Sequence, residues 1–547
     1  MALRKSALAN RAGPVDVKLA PQYDYIIVGA GSAGCVLANR LSEDGRSTVL
    51  LIEAGSRDWS PYIHVPAAIV KLIGNPARDW MHLTQPDPSR DDRVDLWSAG
   101  KGLGGSSSIN GMLYVRGTPA DFDAWAALGN PGWSAADVAP LFRRIERTAI
   151  GQDQERGRDG PMSVEHLRTR HPLGEALEEA AIAYGLPRRA DYNGRIQEGV
   201  SPPQVTQRRG MRWSAARGYL DPARGRRNLT IATGVQVDRL LVDTGRCTGF
   251  AARNHGIVLA KREVIVCAGA MGSPKLLVLS GIGPGEMLRT AGVEVTHDSP
   301  QVGRNLQEHP HVAVSHEVMQ RTFNMEINSP RIAWHMINWA LFRRGPATSA
   351  FPHTVGFFRS DPALTEPDLQ LMFGPFAFTV TPDGVVPYLK PAVTSVVALS
   401  YPHSRGSICL RSAVPDDHLT IDMKLLDDPR DVAALVRGCR IIRAIFEQGA
   451  IARHVVRERL PGAQFESDEQ LEGYVRATSS PTNHPMGTCR MGSASEGAVD
   501  ARLRVHGLGG LRVIDASVMP RHVSGNINAA VLMIAENGAD MIRADNL

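Results

Sequence analysis

A histidine held between a proline and loop glycines, late in a chain and beside polar groups, can act as a proton acceptor. That segment here is Thr482-Asn483-His484-Pro485-Met486-Gly487-Thr488. A second polar stretch, Asp515-Ala516-Ser517, runs on to Ser524-Gly525-Asn526-Ile527-Asn528. A neutral imidazole takes a hydroxyl proton near neutral pH, and a side-chain amide orients the oxygen that loses it. The chain holds 17 histidines, so the residue type alone singles out nothing. What marks His484 is the backbone constraint around it, and what marks Asn526 is its place just ahead of an apolar helix whose N-terminus offers positive potential.

The other chemistry-bearing stretch opens the chain. Tyr25 to Val28 is an uninterrupted apolar run, read as a strand buried on both faces, and Gly29-x-Gly31-x-x-Gly34 follows at once. The first glycine permits a tight turn, the second lets a pyrophosphate approach the backbone, and the third lets helix pack on strand. The spacing predicts a helix over Ser32 to Leu41, its free N–H groups facing the phosphates, then a second buried strand from Thr48 to Ile52. Glu53 ends that strand 19 positions after Gly34, where an acceptor for a ribose hydroxyl is wanted. A glycine turn in an unliganded doubly wound sheet would explain the glycines. It would not explain a carboxylate at the strand's end.

These residues need elements to position them. Gly100-Lys101-Gly102-Leu103-Gly104-Gly105-Ser106-Ser107-Ser108-Ile109-Asn110-Gly111 is too rich in glycine and serine for a helix or strand interior, yet it runs directly into the apolar Met112 to Val115. It reads as backbone wrapped on a ligand. Helices are predicted over Asp121 to Arg147, broken at Gly129-Asn130-Pro131-Gly132, and over His171 to Tyr184. Strands return at Asn228 to Ile231 and Val235 to Val237. A further buried strand, Glu263 to Cys267, leads through small residues into a helix and is expected to rejoin the first sheet. Strands at Leu369 to Phe373, Ala392 to Tyr401 and Ser407 to Arg411, with a helix over Asp431 to Phe446, suggest an antiparallel sheet in a second, substrate-facing domain. Leu511 to Asp515 is one more buried strand, and Asn528 to Ile542 a closing apolar helix.

Composition narrows the function. Apolar residues make up 43% of the 547, ample for a large core. A net charge of +5 on 61 basic and 56 acidic side chains, scattered along the chain, excludes a nucleic-acid footprint. Six widely spaced cysteines with no C-x-x-C pair read as reduced thiols of a cytoplasmic protein, with no disulfide framework and no metal site. Residues 1–22 read as a polar extension without a signal-peptide core, and no apolar run approaches the roughly 18 residues that span a membrane.

Taken together, the motifs resemble the glucose–methanol–choline (GMC) family of flavin oxidoreductases. The likeness is carried by Gly29 to Gly34 with Glu53; by Gly100 to Asn110 with Tyr114 and Gly117; by Gly269-Ala270-Met271-Gly272-Ser273-Pro274 through Gly283; and by His484-Pro485-x-Gly487-Thr488 with Asn526-x-Asn528. The resemblance implies an α/β, Rossmann-like FAD-binding domain interleaved with an α+β substrate domain built on an antiparallel sheet. The expected division gives residues 23–60, 95–150, 226–322 and 479–547 to the former, and 61–94, 151–225 and 323–478 to the latter and to surface excursions. It also implies FAD contacts at Gly29, Gly31, Ser32, Ala33, Gly34, Glu53 and Ala54; at Gly104, Ser108, Asn110, Gly111 and Leu113; at Val237, whose backbone would meet the adenine; and at Asn483, Asp515, Ala516, Ile527 and Asn528.

In that family His484 would be the base that removes an alcohol's proton while the carbon delivers hydride to flavin N5, and Asn526 would hydrogen-bond the same oxygen. Relatives that attach FAD covalently use a histidine where Ile109 stands, so the cofactor is expected to be non-covalent. The residue before the base is often aromatic in relatives; here it is Asn483. Photodecarboxylases of this fold lack the histidine at 484 and are set aside. Primary alcohols are the expected substrates, with Phe373, Phe376 and Phe378 offered as an apolar wall and oxygen or a quinone as acceptor. No acid could be placed near the base, which disfavours choline. The alternative is a hydroxynitrile lyase using the same FAD and His484 without net redox change.

Overall fold

The computed structural model describes residues 18–546, apart from 328, 350, 382 and 383; most of the predicted N-terminal extension lies outside the described residues. Strand β1 (Gln22–Val28), helix α1 (Ser32–Leu41) and strand β2 (Val49–Glu53) open the fold, with the helix on the residues predicted for it. Val49 to Ile52 are essentially inaccessible, as an all-apolar strand covered on both faces must be. Each such aliphatic side chain contributes roughly 1.5–3 kcal/mol on burial.

The chain then leaves for a second sheet through helix α2 (Pro172–Tyr184) and strand β3 (Gly199–Ser201). It returns with β4 (Leu229–Thr233), β5 (Arg239–Asp243), β6 (Arg246–Ala252), β7 (Gly256–Val266) and helix α3 (Gly269–Leu279). A second departure lays down β8 (Pro310–Val318), helix α4 (Arg331–Phe342), β9 (Thr354–Phe358), β10 (Leu369–Gly374) and β11 (Ala392–Leu399). Helix α5 (Pro429–Phe446), β12 (Val455–Leu460) and β13 (Ser480–Pro481) complete it. Finally β14 (Leu511–Val513) and helix α6 (Asn528–Asp545) come back to the first sheet.

That first sheet has the order β4-β2-β1-β7-β6-β5, with β14 also paired to β7. Strands β4, β2, β1, β7 and β14 are mutually parallel, and β5 and β6 extend the sheet antiparallel from the first half of β7. The strand at Glu263 to Val266 does rejoin β1, in register Tyr25 to Glu263 through Val28 to Val266. Helix α6 packs along α1. The second sheet, β12-β8-β11-β10-β9-β3 with β13 beside β8, is antiparallel throughout. Helices α2 and α5 cover one of its faces. The result is a largely parallel, Rossmann-like sheet with an antiparallel edge, interleaved along the chain with a wholly antiparallel sheet.

Three sequence expectations shift. The strand predicted at Ser407 to Arg411 covers only Ser407–Cys409 and pairs with Thr420–Asp422 in a two-stranded sheet of its own, outside the second sheet. Val235 to Val237 is not a strand: Val235 N–H donates to Glu53 carbonyl at 3.0 Å, so the chain rounds the end of β2 before β5 begins. The strand predicted to Asp515 stops at Val513, because Asp515 instead caps a short helical turn by accepting from Ser517 N–H at 2.8 Å.

Candidate active site

The glycine turn, the Gly-Ser loop and the end of β2 are pressed together backbone to backbone. A Cβ on Gly34 would lie 1.9 Å from Gly29 carbonyl oxygen, and one on Gly105 would lie 2.7 Å from Gly31 Cα. Gly104 N–H donates to Ala30 carbonyl at 2.8 Å. Glu53 ties the three segments: its carboxylate accepts from Ala30 N–H at 2.9 Å, Gly55 N–H at 2.8 Å and Gly102 N–H at 3.0 Å. A carboxylate has about four acceptor positions, so capacity for one further donor remains.

Above this clasp opens one continuous cavity of about 1870 Å³. A Cβ on Gly31 would meet nothing nearer than Cys267 carbonyl at 3.9 Å, so the turn faces open space there. Helix α1 begins at Gly31 with no side-chain cap, and its first N–H groups are free for an anion. Gly29, Gly31, Ser32, Ala33, Glu53, Ala54, Asn110, Gly111, Leu113 and Val237 all line the cavity, as do Asn483, Asp515, Ala516, Ile527 and Asn528. The exceptions are Gly34, Gly104 and Ser108. Gly34 packs under the turn, Gly104 bonds the loop to Ala30, and Ser108 hydroxyl donates to Leu103 carbonyl at 2.8 Å. An uncapped helix start, a glycine opening and an acidic strand end on one elongated cavity fit an FAD.

His484 stands further along the same cavity. The loop after β13 reaches it through Asn483 at φ 62°, a left-handed conformation that asparagine tolerates, and Asn483 Oδ1 accepts from Ser98 N–H at 3.0 Å. The His484 N–H donates to both carboxylate oxygens of Glu308, at 2.9 and 2.8 Å. Thr482 hydroxyl and His309 N–H donate to the same carboxylate, each at 2.9 Å.

One hydrogen-bond pattern fixes the imidazole. Gln370 Nε2 donates to Asn526 Oδ1 at 3.0 Å, which turns the Asn526 amide nitrogen toward His484 Nε2, also at 3.0 Å. Nε2 is then an acceptor, and the ring proton sits on Nδ1, 3.1 Å from His309 Nδ1. His309 packs in turn against His522, ring centroids 3.8 Å apart. Burial pushes His309 down to about 3, and burial, followed by the neighbouring His309 and His311, holds His484 well below the ordinary histidine value. The cluster is therefore neutral at physiological pH. Burial also raises the Glu308 carboxyl to about 8, against the pull of the N–H groups that donate to it.

Strand parity decides which phenylalanines can meet a substrate. Leu369, Leu371 and Phe373 face the core under α5, while Gln370, Met372 and Gly374 point the other way. Phe373 is thus fully buried and does not line the cavity, contrary to the sequence expectation; Phe376 and Phe378, past the end of β10, do. Met372, Val396, Leu113 and Phe351 join them there. An acid also lines the cavity: Glu326, salt-bridged to Arg321 and hydrogen-bonded to His335 at 3.2 Å.

The sequence reading missed Glu308, His309, His522 and Gln370. The first two had a signal: Gln307-Glu308-His309-Pro310-His311 sets an acid and two histidines around a proline where the chain enters the apolar β8.

Comparison with known proteins agrees with this architecture. The family profile described as GMC oxidoreductase matches residues 23–311 with its N-terminal part and 402–535 with its C-terminal part. An alcohol dehydrogenase [acceptor] of Pseudomonas putida is 39% identical over 95% of each chain. An oxygen-dependent choline dehydrogenase of Paraburkholderia xenovorans is 41% identical over 96% of this chain and 95% of its own. The crystal structure of pyridoxine 4-oxidase from Mesorbium loti superposes with a TM-score of 0.86 at 34% identity, covering 94% of this chain and 98% of that one. The chain belongs to the GMC oxidoreductase family, FAD-dependent enzymes acting on the CH–OH group of their donors.

Proposed function

We propose that the protein oxidises primary alcohols, aliphatic or aromatic, to aldehydes, with His484 as base and Asn526 orienting the hydroxyl oxygen. The observation that carries this reading is the 3.0 Å contact between Asn526 Nδ2 and His484 Nε2 on the cavity wall. An alcohol oxygen placed against both groups would donate its proton to Nε2 and accept from the amide. His484 is neutral there, its Nδ1–H directed at His309, so Nε2 carries an acceptor lone pair without prior deprotonation, and an alcohol entering between it and Asn526 Nδ2 would take the place of the amide on that lone pair. FAD, when bound, supplies the two-electron acceptor for the carbinol carbon. Gly29 to Ala33, Glu53, Ala54, Val237 and the Asn110 to Leu113 turn would hold it, without a covalent bond because Ile109 offers no nucleophile. The division of the chain into cofactor segments (23–60, 95–150, 226–322, 479–547) and substrate segments follows from this assignment.

Met372, Val396, Phe351 and Phe376 supply an apolar wall for the substrate's carbon chain or ring. Glu326 is neutralised by Arg321, which supports uncharged alcohols over a quaternary ammonium. The test is anaerobic mixing of FAD-loaded protein with a panel of primary alcohols, followed by reoxidation with oxygen or a soluble quinone. Rapid bleaching of the flavin by benzylic or medium-chain alcohols, and faster recovery with one acceptor, is the expected result. Unbleached flavin across the panel would overturn the reading.

A further inference from the structure

Helix α4 (Arg331–Phe342) is an apolar element whose outer face nothing covers among the described residues. None of its residues is buried, and Trp334, Leu341 and Phe342 are 63%, 69% and 62% exposed, with Ile332, Met336 and Ile337 also open. Isolated apolar residues on a surface are ordinary, but a whole helix of them is not. The apolar surface continues beyond the helix. Asn324–Ile327 packs against α4 and against the strand Gly384–Pro387, beside which Val386 and Leu389 are exposed. Pro346–Thr348 packs against the other end of α4 and against Pro66–Lys71, near the exposed Val70 and Ile73.

Charge decides what covers this face. Residues 331 to 342 contain no Asp or Glu. At the C-terminal end of α4, Arg343, Arg344, Arg168 and Arg209 converge. Arg343 carbonyl and Arg168 Cδ both flank Gly210, whose carbonyl accepts from Trp339 Nε1 at 2.9 Å, and Arg209 is the next residue. None of the four forms an ion pair among the described residues; Arg343 lies 4.1 Å over the Trp339 ring, and Arg209 meets Glu165 only through its backbone N–H. A second copy of the chain would bring one basic cluster against another, with no acid on the helix to answer it. An anionic bilayer surface matches both halves of the pattern, taking the tryptophans and leucine below the headgroups and the arginines among them. No helix among the described residues is long and apolar enough to cross a membrane, so the contact lies in the interface plane.

We infer that α4 and its apolar flanks are a docking surface for an anionic lipid bilayer. Ile332, His335 and Met336 of the same helix line the cavity, so docking sets the cavity mouth against the lipid. The test is flotation of the FAD-loaded protein with vesicles of phosphatidylcholine alone or mixed with phosphatidylglycerol. The holoenzyme is expected to float with the mixed vesicles and to be released by salt. The double variant Trp334→Glu/Leu341→Glu should lose flotation by at least about tenfold, with FAD content and melting temperature unchanged. Arg168→Glu/Arg344→Glu should bind the mixed vesicles roughly tenfold more weakly, since each basic side chain contributes a comparable increment near an anionic surface. Wild-type protein that stays in the soluble fraction at low salt would overturn the inference. So would a sedimenting dimer that Trp334→Glu/Leu341→Glu dissociates, which would make the covering partner a second copy.

Discussion

At the β1–α1–β2 end the cavity wall is mostly backbone: Gly29, Gly31, the Gly-Ser loop and an uncapped helix start, locked by approaches at Gly29, Gly34 and Gly105 that leave no room for a side chain. At the β8–β10–β11 end the wall is side chains, delivered by alternate positions of an antiparallel sheet whose opposite face is packed under α5. Backbone geometry changes only through glycine and turn chemistry, so the first end tolerates almost no substitution. Side chains on a supported strand exchange freely so long as the buried face is kept. The difference teaches why a fold can keep one cofactor while its relatives act on an alcohol, choline or pyridoxine, as the names of the similar proteins say. His484 belongs to neither end alone, since Asn526 at the head of α6 and His309 at the head of β8 hold it between them.

The largest effect is expected where the two ends meet. His484→Ala should keep FAD yet slow substrate-driven flavin bleaching on the order of a thousandfold, measured by anaerobic stopped flow. Loss of FAD in this variant would break the division, because it would place the histidine in the cofactor clasp.

The clasp itself is probed by Gly34→Ala, whose Cβ would sit 1.9 Å from the Gly29 carbonyl oxygen. Purified protein should carry little flavin and lose about 3 kcal/mol by urea unfolding, an overpacking penalty with no flexible neighbour to absorb it.

On the side-chain end, Gln370→Ala releases the Asn526 amide from its orientation. Turnover should fall roughly ten- to a hundredfold with FAD content intact, because a small misplacement of an orienting group costs that much. An unchanged kcat would show that Asn526 needs no support from β10.

The smallest effect is one of pH. Glu308 is raised from its ordinary 4.5 to about 8, so its contribution to stability is complete below 4.5 and is lost as pH rises through 8. His309 is lowered from 6.5 to about 3, so its contribution is complete above 6.5 and is lost as pH falls toward 3. Between 6.5 and 8 Glu308 alone removes about 2 kcal/mol, while each buried histidine lowered from 6.5, His309 among them, returns a few tenths as the unfolded imidazole loses its proton. Between pH 6.5 and 8 the wild-type melting temperature should fall relative to that of Glu308→Gln in parallel thermal scans, and an unchanged difference between the two would remove Glu308 from the balance.

The cofactor end was legible because its determinants are local. Gln22 to Glu53 is one contiguous βαβ unit, and the predicted span of α1 coincides with the observed one. The substrate end was not, because its determinants are contacts across the chain. Gln370, Asn526, His484 and His309 converge from segments up to 217 positions apart, and no periodicity within any one of them announces the meeting. Phe373 shows the other limit. An apolar strand is recognisable from its composition, but which of two alternating faces meets the cavity depends on what packs behind it.

One pairing sets a timetable. Ser32 hydroxyl donates to Asn528 Oδ1 at 2.7 Å, and Arg40 is salt-bridged to Glu536 at 2.8 Å, so α1 is completed by a helix made 496 residues later. At roughly 5–20 residues per second, the ribosome spends on the order of half a minute to two minutes between the two. Throughout that interval the nascent βαβ unit waits with an open flank, which makes cofactor capture a late, post-translational event and a natural moment for chaperone engagement.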